Sequence, residues 1–93
     1  MRQIVVLPSF DRCVKKLYPS DKKQLIQALE KFNEFLTSGQ LSAGLGFKKI
    51  NHNKYEFRVT IRLRVVLKEE GNVFYLVLVG DHDEVRRYLR EYR

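Results

Sequence analysis

The spacing of apolar residues changes from a helical period to a period of two along this chain. From Phe10 to Leu17 and again from Leu25 to Leu36, apolar residues recur every three or four positions, as they do on one face of a helix. From Tyr55 to Leu67 every odd-numbered residue is apolar and most even-numbered ones are charged, which predicts strand with one buried face. Helices are therefore expected before the sheet, which is the pattern of an α+β fold.

The alternating segment is long for one strand, because strands usually hold about 5–6 residues. It either continues as a bent strand or folds back near its middle. A two-residue turn would mix the buried and charged faces, whereas a three-residue loop at 60–62 pairs Val59 with Leu63 and keeps them separate. Both the bent strand and the three-residue loop leave Arg58 and Arg64 on the same side of the sheet.

The remaining elements follow from short apolar runs and from residues that start or stop helices. The length of 93 residues predicts a single domain over 1–93. We predict a β-α-α-β-β-β-α order, with a helical hairpin packed on a largely antiparallel sheet and a short C-terminal helix. In chain order the other predictions are a strand at Ile4–Leu7, a helix at Phe10–Leu17 capped by Ser9, a helix from Ser20 closed by Gly39, a loop at Ser38–Gly46, a buried strand at Val73–Val79 and a last helix capped by Asp81 or Asp83.

Positive charge is concentrated on the predicted sheet. The chain carries 18 Lys and Arg against 11 Asp and Glu, a net charge of +7. Residues 48–68 hold seven positive side chains and one acid, Glu56, and so account for +6 of that total. The positive residues are Lys48, Lys49, Lys54, Arg58, Arg62, Arg64 and Lys68. A solvated strand face explains such charges most simply, but several arginines on one face also suit phosphate oxygens.

Several classes of site are not supported by the sequence. His52 and His82 lie thirty positions apart and Cys13 is the single cysteine, so no metal-ligand spacing exists, and we predict neither metal nor cofactor. Residues 44–46 lack the third glycine of a nucleotide-binding loop. One cysteine suits a reducing compartment, and the apolar run at Ile4–Leu7 is too short for a signal peptide or membrane span. We therefore predict a cytoplasmic protein without membrane contact.

Acid–base chemistry on a phosphodiester needs no metal when the substrate is RNA, because the 2′-hydroxyl is the nucleophile. His82 follows a buried strand, and an imidazole with a pKa of about 6.5 can both accept and donate a proton. The alternative is a histidine that merely occupies a capping turn. Tyr88 either stacks on a base or seals the last helix onto the sheet.

Several short segments occur in a fairly specific order and spacing: Phe10 with Val14–Leu17, Gly46–Ile50, Tyr55–Val59, Leu63–Leu67 and Val77–His82 followed by Val85. In these segments the chain resembles the RelE/ParE superfamily of toxins from bacterial and archaeal toxin–antitoxin modules. The resemblance implies a RelE-like fold and a small cytoplasmic toxin that an antitoxin neutralises. It also implies one of two targets: RelE-like members cleave messenger RNA on the ribosome without metal, whereas ParE-like members inhibit DNA gyrase.

The resemblance also assigns candidate residues. Arg58 and Arg64 match the two arginines of the family's paired strands, and His82 falls where ribonuclease members carry a basic or acid–base residue. His82 favours the ribonuclease branch, so we expect His82, Arg64 and Arg58 to be catalytic. The candidate RNA-binding residues are Lys48, Lys49, Arg62, Lys54 and Tyr88. The expected partners are an acidic amphipathic antitoxin, the ribosome and messenger RNA; the alternatives are a non-catalytic ParE-like toxin and a basic RNA-binding module.

Overall fold

A five-stranded sheet carries a helical hairpin and ends in a short helix. The computed structural model describes residues 2–42 and 44–92. The elements are β1 (Gln3–Val6), α1 (Pro8–Lys15), α2 (Pro19–Ser38), β2 (Lys48–Asn51), β3 (Lys54–Arg58), β4 (Arg64–Glu70), β5 (Val73–Gly80) and α3 (His82–Glu91). The predicted loop at Ser38–Gly46 is confirmed from Gly39 onward; Ala43 lies outside the described residues.

The strand order in the sheet is β1-β5-β4-β3-β2. β1 pairs with β5 in parallel, and the three other pairs are antiparallel. This mixed, mostly antiparallel sheet confirms the predicted α+β class. Four strands follow the hairpin instead of three, because the segment from Tyr55 to Leu67 divides into β3 and β4 with a loop between them.

Residues 59–63 connect β3 with β4, and Val59 faces Leu63 across this connection, so that the predicted three residues, 60–62, form its tip. The Val59 N–H donates to the Leu63 carbonyl at 2.9 Å, and Arg58 lies directly opposite Arg64. The Thr60 hydroxyl oxygen accepts hydrogen bonds from the backbone N–H groups of Arg62 and Leu63, at 3.1 and 3.0 Å. The loop is therefore held by its own hydrogen bonds, and both arginines lie on one face.

Both predicted serine caps are wrong, because a proline starts each helix of the hairpin. α1 begins at Pro8 and α2 at Pro19, so Ser9 and Ser20 lie inside the first turn. Proline suits that position, since its fixed φ is helical and the N–H it lacks would have no helical partner. The Ser9 hydroxyl instead donates to the Val77 carbonyl at 2.7 Å and ties α1 to β5.

The predicted signals at the two other helix ends are confirmed. Gly39 follows α2 with a φ of 78°, the left-handed conformation that glycine adopts without steric cost. Asp81 precedes α3, and its carboxylate accepts the Glu84 N–H at 2.9 Å. The Glu84 carboxylate accepts the Asp81 N–H at 3.1 Å in return. This reciprocal pair fixes the start of α3.

The core lies between the helical hairpin and one face of the sheet. Phe32 of α2 stacks on Phe57 of β3 with 4.9 Å between ring centroids, and both are completely buried. Val65 and Leu67 of β4 belong to the same buried cluster. Because side chains alternate along a strand, the even-numbered residues of β3 and β4 point to the opposite face, which carries the charged cavity described next.

Candidate functional site

A cavity of about 140 Å³ opens on the sheet face opposite the hairpin. We call it the arginine cavity; its lining residues are Gly46, Lys48, Glu56, Arg58 and Arg64. Three strands and the loop before β2 contribute to it. The register explains this convergence, since Lys48 pairs with Glu56 and Arg58 pairs with Arg64.

Arg64 is held by an ion pair at the floor of this cavity. Its Nε donates to Glu56 Oε2 at 3.0 Å, and the two side chains are 16% and 13% exposed. Its Nη1 is buried and has no hydrogen-bond partner within residues 2–42 and 44–92. A guanidinium in a charge-assisted pair with little solvent around it keeps one orientation, so Arg64 is a fixed cation.

Arg58 differs from Arg64 because its side chain is exposed. Its backbone N–H donates to the Leu45 carbonyl at 2.7 Å, which packs the loop before β2 against it. Gly46 continues that loop at a φ of 63°. No ion pair engages the guanidinium of Arg58 in the part of the chain that the structure describes. It is therefore available to an anion that enters the arginine cavity.

His82 is the first residue of α3 and is exposed to solvent. It lies two residues beyond Gly80, the register partner of Arg64 on β5. The capping box of Asp81 and Glu84 fixes the backbone on both sides of it. The imidazole itself makes no hydrogen bond to another described residue, so its backbone is positioned whereas its ring can rotate.

The other predicted basic residues are in different surroundings. Lys48 lines the arginine cavity, and Arg62 is exposed in the loop between β3 and β4. Lys49 points to the opposite face, where its Nζ lies 5.9 Å from the Tyr55 ring centroid. Lys54 is only 5% exposed, and its Nζ donates to Asn53 Oδ1 at 3.3 Å. Burial removes most of the surface through which Lys54 would contact RNA.

Tyr88 does not contribute to the arginine cavity. It is half-buried on α3, and its ring stacks on Tyr92 with 5.0 Å between centroids. Burial is the main reason that its pKa is raised above the usual 10.0, with a smaller contribution from Tyr92. Its hydroxyl therefore stays protonated at neutral pH.

Glu56 is the residue of this site that the sequence prediction missed. In the sequence it stands out only as the one acid among the seven positive residues of 48–68. Its even number, which it shares with Arg58 and Arg64, was the available signal, because residues of one parity share a face. Parity predicts that Glu56 lies on the same face as the two arginines, but it does not predict the ion pair. The ion pair forms because the register of β3 and β4 places Glu56 diagonally across from Arg64.

Two further features concern cofactors and membranes. Among residues 2–42 and 44–92, no group of three or more His, Cys, Asp and Glu side chains is arranged to hold a metal ion. No helix in the described part of the chain is both long and apolar enough to cross a membrane.

Comparison with solved structures finds the same architecture in bacterial and archaeal toxins. The toxin–antitoxin complex RelB-RelE from Methanococcus jannaschii aligns with a TM-score of 0.68 at 21% identity, over 90% of this chain and 96% of that one. YafQ from E. coli aligns at 0.64 and 14% identity, over 91% and 98%. The chain has the fold of RelE-type toxins.

A third structure extends the RelE-type fold to another toxin. The YoeB dimer from Staphylococcus aureus aligns with a TM-score of 0.62 at 18% identity, over 87% of this chain and 97% of that one. No protein-family model matches the chain, and no curated protein matches it either. At these identities the resemblance is one of fold, and the chemistry has to be argued from the arginine cavity.

Proposed function

We propose that this protein is the toxin of a toxin–antitoxin module and acts as a ribosome-dependent messenger RNA endoribonuclease that inhibits translation. The observation that supports this most strongly is the arginine cavity, in which Arg58 and Arg64 lie directly opposite each other beside Lys48. Two guanidinium groups and an ammonium group on one face suit a phosphodiester. The RelE-type fold supports the same conclusion, since RelE is named a toxin in its complex with RelB.

The proposed reaction uses the substrate's own 2′-hydroxyl. A base removes the proton of that hydroxyl, and its oxygen attacks the adjacent phosphorus. The bond from phosphorus to the 5′-oxygen breaks, and an acid protonates the leaving oxygen. The products are a 2′,3′-cyclic phosphate and a 5′-hydroxyl, so neither water nor a metal appears in the balance of this step.

Each residue of the site has a role in this scheme. The exposed Arg58 guanidinium binds the scissile phosphate, and Arg64 stabilises the charge that develops on it. Glu56 is a positioning residue, because its ion pair fixes the orientation of Arg64. His82 transfers a proton to or from the reacting oxygens. Lys48, together with Arg62 and Lys49 outside the cavity, attracts the RNA of the message or the ribosome over longer distances.

An acidic antitoxin is the proposed protein partner. RelE and YafQ are seen in complexes with the antitoxins RelB and DinJ. The +6 segment from Lys48 to Lys68 would attract an acidic, amphipathic segment of such a protein. The proposed location is the cytoplasm, where translating ribosomes and their messages are found.

One observation favours a second candidate. The His82 ring has no hydrogen-bond partner among the described residues that would fix its orientation, whereas an acid–base histidine is usually oriented by a neighbour. A non-catalytic ParE-like toxin that inhibits a protein such as DNA gyrase needs no such group. In that case growth would stop while messages stay intact.

Incubation with translating ribosomes, followed by mapping of the message ends, separates these functions. The parent protein should cut messages, and His82→Asn should lower the cleavage rate by at least about 100-fold, the usual contribution of acid–base catalysis. His52→Asn is the matched control, because His52 lies in an exposed turn at a φ of 34°, a conformation that asparagine tolerates. Cleavage that is equal in the two variants would contradict the role of His82, and intact messages with the parent protein would favour the second candidate.

A further inference from the structure

A second groove lies between α1 and α3, outside the arginine cavity. It has a volume of about 660 Å³ and shares no lining residue with that cavity. We call it the α1–α3 groove; its lining residues are Ser9, Arg12, Cys13, Lys16, Val77, Leu78, Arg87, Tyr88, Glu91 and Tyr92. The residues come from the two ends of the chain, which the parallel pairing of β1 with β5 brings together.

The charged residues of the α1–α3 groove are mostly positive. Arg12 lies on α1 and Lys16 directly follows the last residue of that helix, while Arg87 lines the groove from α3. Glu91 is the single acid in the lining. The sequence does not indicate this cationic surface, because Lys16 and Arg87 are 71 positions apart.

An aromatic pair stands beside these cations. Tyr88 and Tyr92 stack with 5.0 Å between centroids and 28° between ring planes. Tyr88 is half-buried, whereas Tyr92 is 57% exposed, so the outer part of the stack is accessible. Aromatic rings beside a cationic groove are how proteins bind single-stranded nucleic acid without strong sequence preference, since every base has a face that can stack.

α3 starts two residues beyond Gly80, the β5 residue that pairs with Arg64, and its later turns line the groove. His82 begins the helix beside Gly80, and Tyr88 follows six residues later, which is about 9 Å along the helix axis. An RNA strand that follows α3 from His82 therefore reaches the tyrosine pair within a few nucleotides.

We infer that the α1–α3 groove binds single-stranded RNA next to the cleavage site, with a base stacked on Tyr92 and phosphates near Arg12, Lys16 and Arg87. This inference rests on the proposed function, because it extends the path of the same substrate. An acidic protein segment would also suit the charges, but the accessible tyrosine stack adds a surface that nucleobases use.

Fluorescence anisotropy with a short, labelled oligouridylate tests the tyrosine stack. Tyr92→Ala should weaken binding by at least about 5-fold, because stacking on an aromatic side chain contributes about 1–3 kcal/mol per base. Tyr18→Ala is the matched control: Tyr18 is 73% exposed at the start of α2 and should leave the affinity unchanged. Equal affinities of these two variants would overturn the inference.

The salt dependence of binding tests the cations. The double variant Arg12→Gln, Lys16→Gln should reduce the slope of log affinity against log salt by about 0.7 for each phosphate contact that is lost. Lys23→Gln, an exposed control on α2, should keep the parent slope. An unchanged slope in the double variant would also overturn the inference.

Three outcomes separate this inference from the proposed function. If Arg58→Gln weakens RNA binding but the groove variants do not, the groove inference fails and the proposed function stands. If the groove variants weaken RNA binding while the parent protein cuts no message on ribosomes, the inference stands and the proposed function fails. If the groove variants bind RNA normally but no longer bind an added acidic amphipathic peptide, the groove is a protein-docking surface and the inference is wrong.

Discussion

Glu56→Gln is the substitution that tests the ion pair of the arginine cavity. Removing one partner of a fully buried pair costs about 3–5 kcal/mol, whereas an exposed pair contributes about 0–1 kcal/mol. Glu56 and Arg64 are 13% and 16% exposed, so we expect an intermediate cost of about 2 kcal/mol. For a domain of this size, that corresponds to a fall of about 10 °C in Tm.

Thermal unfolding followed by circular dichroism measures this cost. Glu70→Gln is the matched control, because Glu70 pairs with Lys68 at 3.5 Å and is 55% exposed; its Tm should change by no more than about 5 °C. Glu56→Gln combined with Arg64→Met should recover most of the lost stability, since no uncompensated charge then stays buried.

The cleavage assay gives a second measure of the same pair. Glu56→Gln should slow cutting of messages, because Arg64 loses the partner that orients it. If Glu56→Gln unfolded within about 1 °C of the parent protein, the ion pair would not stabilise the fold. A double variant less stable than the single one would contradict the cost assigned to an unpaired Arg64.

Two further predictions concern the start of α3 and the acid stability of the fold. Gly80→Ala should destabilise the protein by about 1–2 kcal/mol in chemical denaturation, because an added Cβ would lie 2.9 Å from Glu84 Oε1 and disturb the capping box; an unchanged midpoint would contradict this packing. A hydrogen bond from Arg2 is the main cause that lowers the pKa of Glu69 below 4.5, so this carboxylate stabilises the fold above that pH and the stabilisation disappears as pH falls through the lowered pKa. In Glu69→Gln the free energy of unfolding should therefore fall less steeply with decreasing pH below about pH 4.5 than it does in the parent protein. The control Glu30→Gln should keep the parent's pH dependence. An equal pH dependence in Glu69→Gln and the parent protein would argue against the pair.

The sequence predicted the sheet side of the fold well because parity leaves few choices. A strand residue points to one face or the other, so the alternation from Tyr55 to Leu67 correctly grouped Arg58 with Arg64 before the loop was known. The same alternation allowed a three-residue loop and disfavoured a two-residue turn. The structure then supplied what parity could not, namely the diagonal contact of Glu56 with Arg64.

The errors arose where two local signals compete or where distant segments meet. Ser9 and Ser20 are good caps by type, but Pro8 and Pro19 begin the helices one residue earlier. The sequence did not indicate that Lys54 is buried; its role in RNA binding stays a prediction. The α1–α3 groove was equally hidden, since its halves meet only after β1 pairs with β5.

The central claim is that Arg58 and Arg64 hold a phosphodiester that the adjacent 2′-hydroxyl attacks. The most direct measurement is the chemistry of the message ends after incubation of the protein with translating ribosomes. The parent protein should leave 2′,3′-cyclic phosphate and 5′-hydroxyl ends. Arg64→Lys should lose most of both, whereas the surface control Arg90→Lys should not. Cleavage that leaves 5′-phosphate ends, or undiminished cleavage by Arg64→Lys, would contradict it.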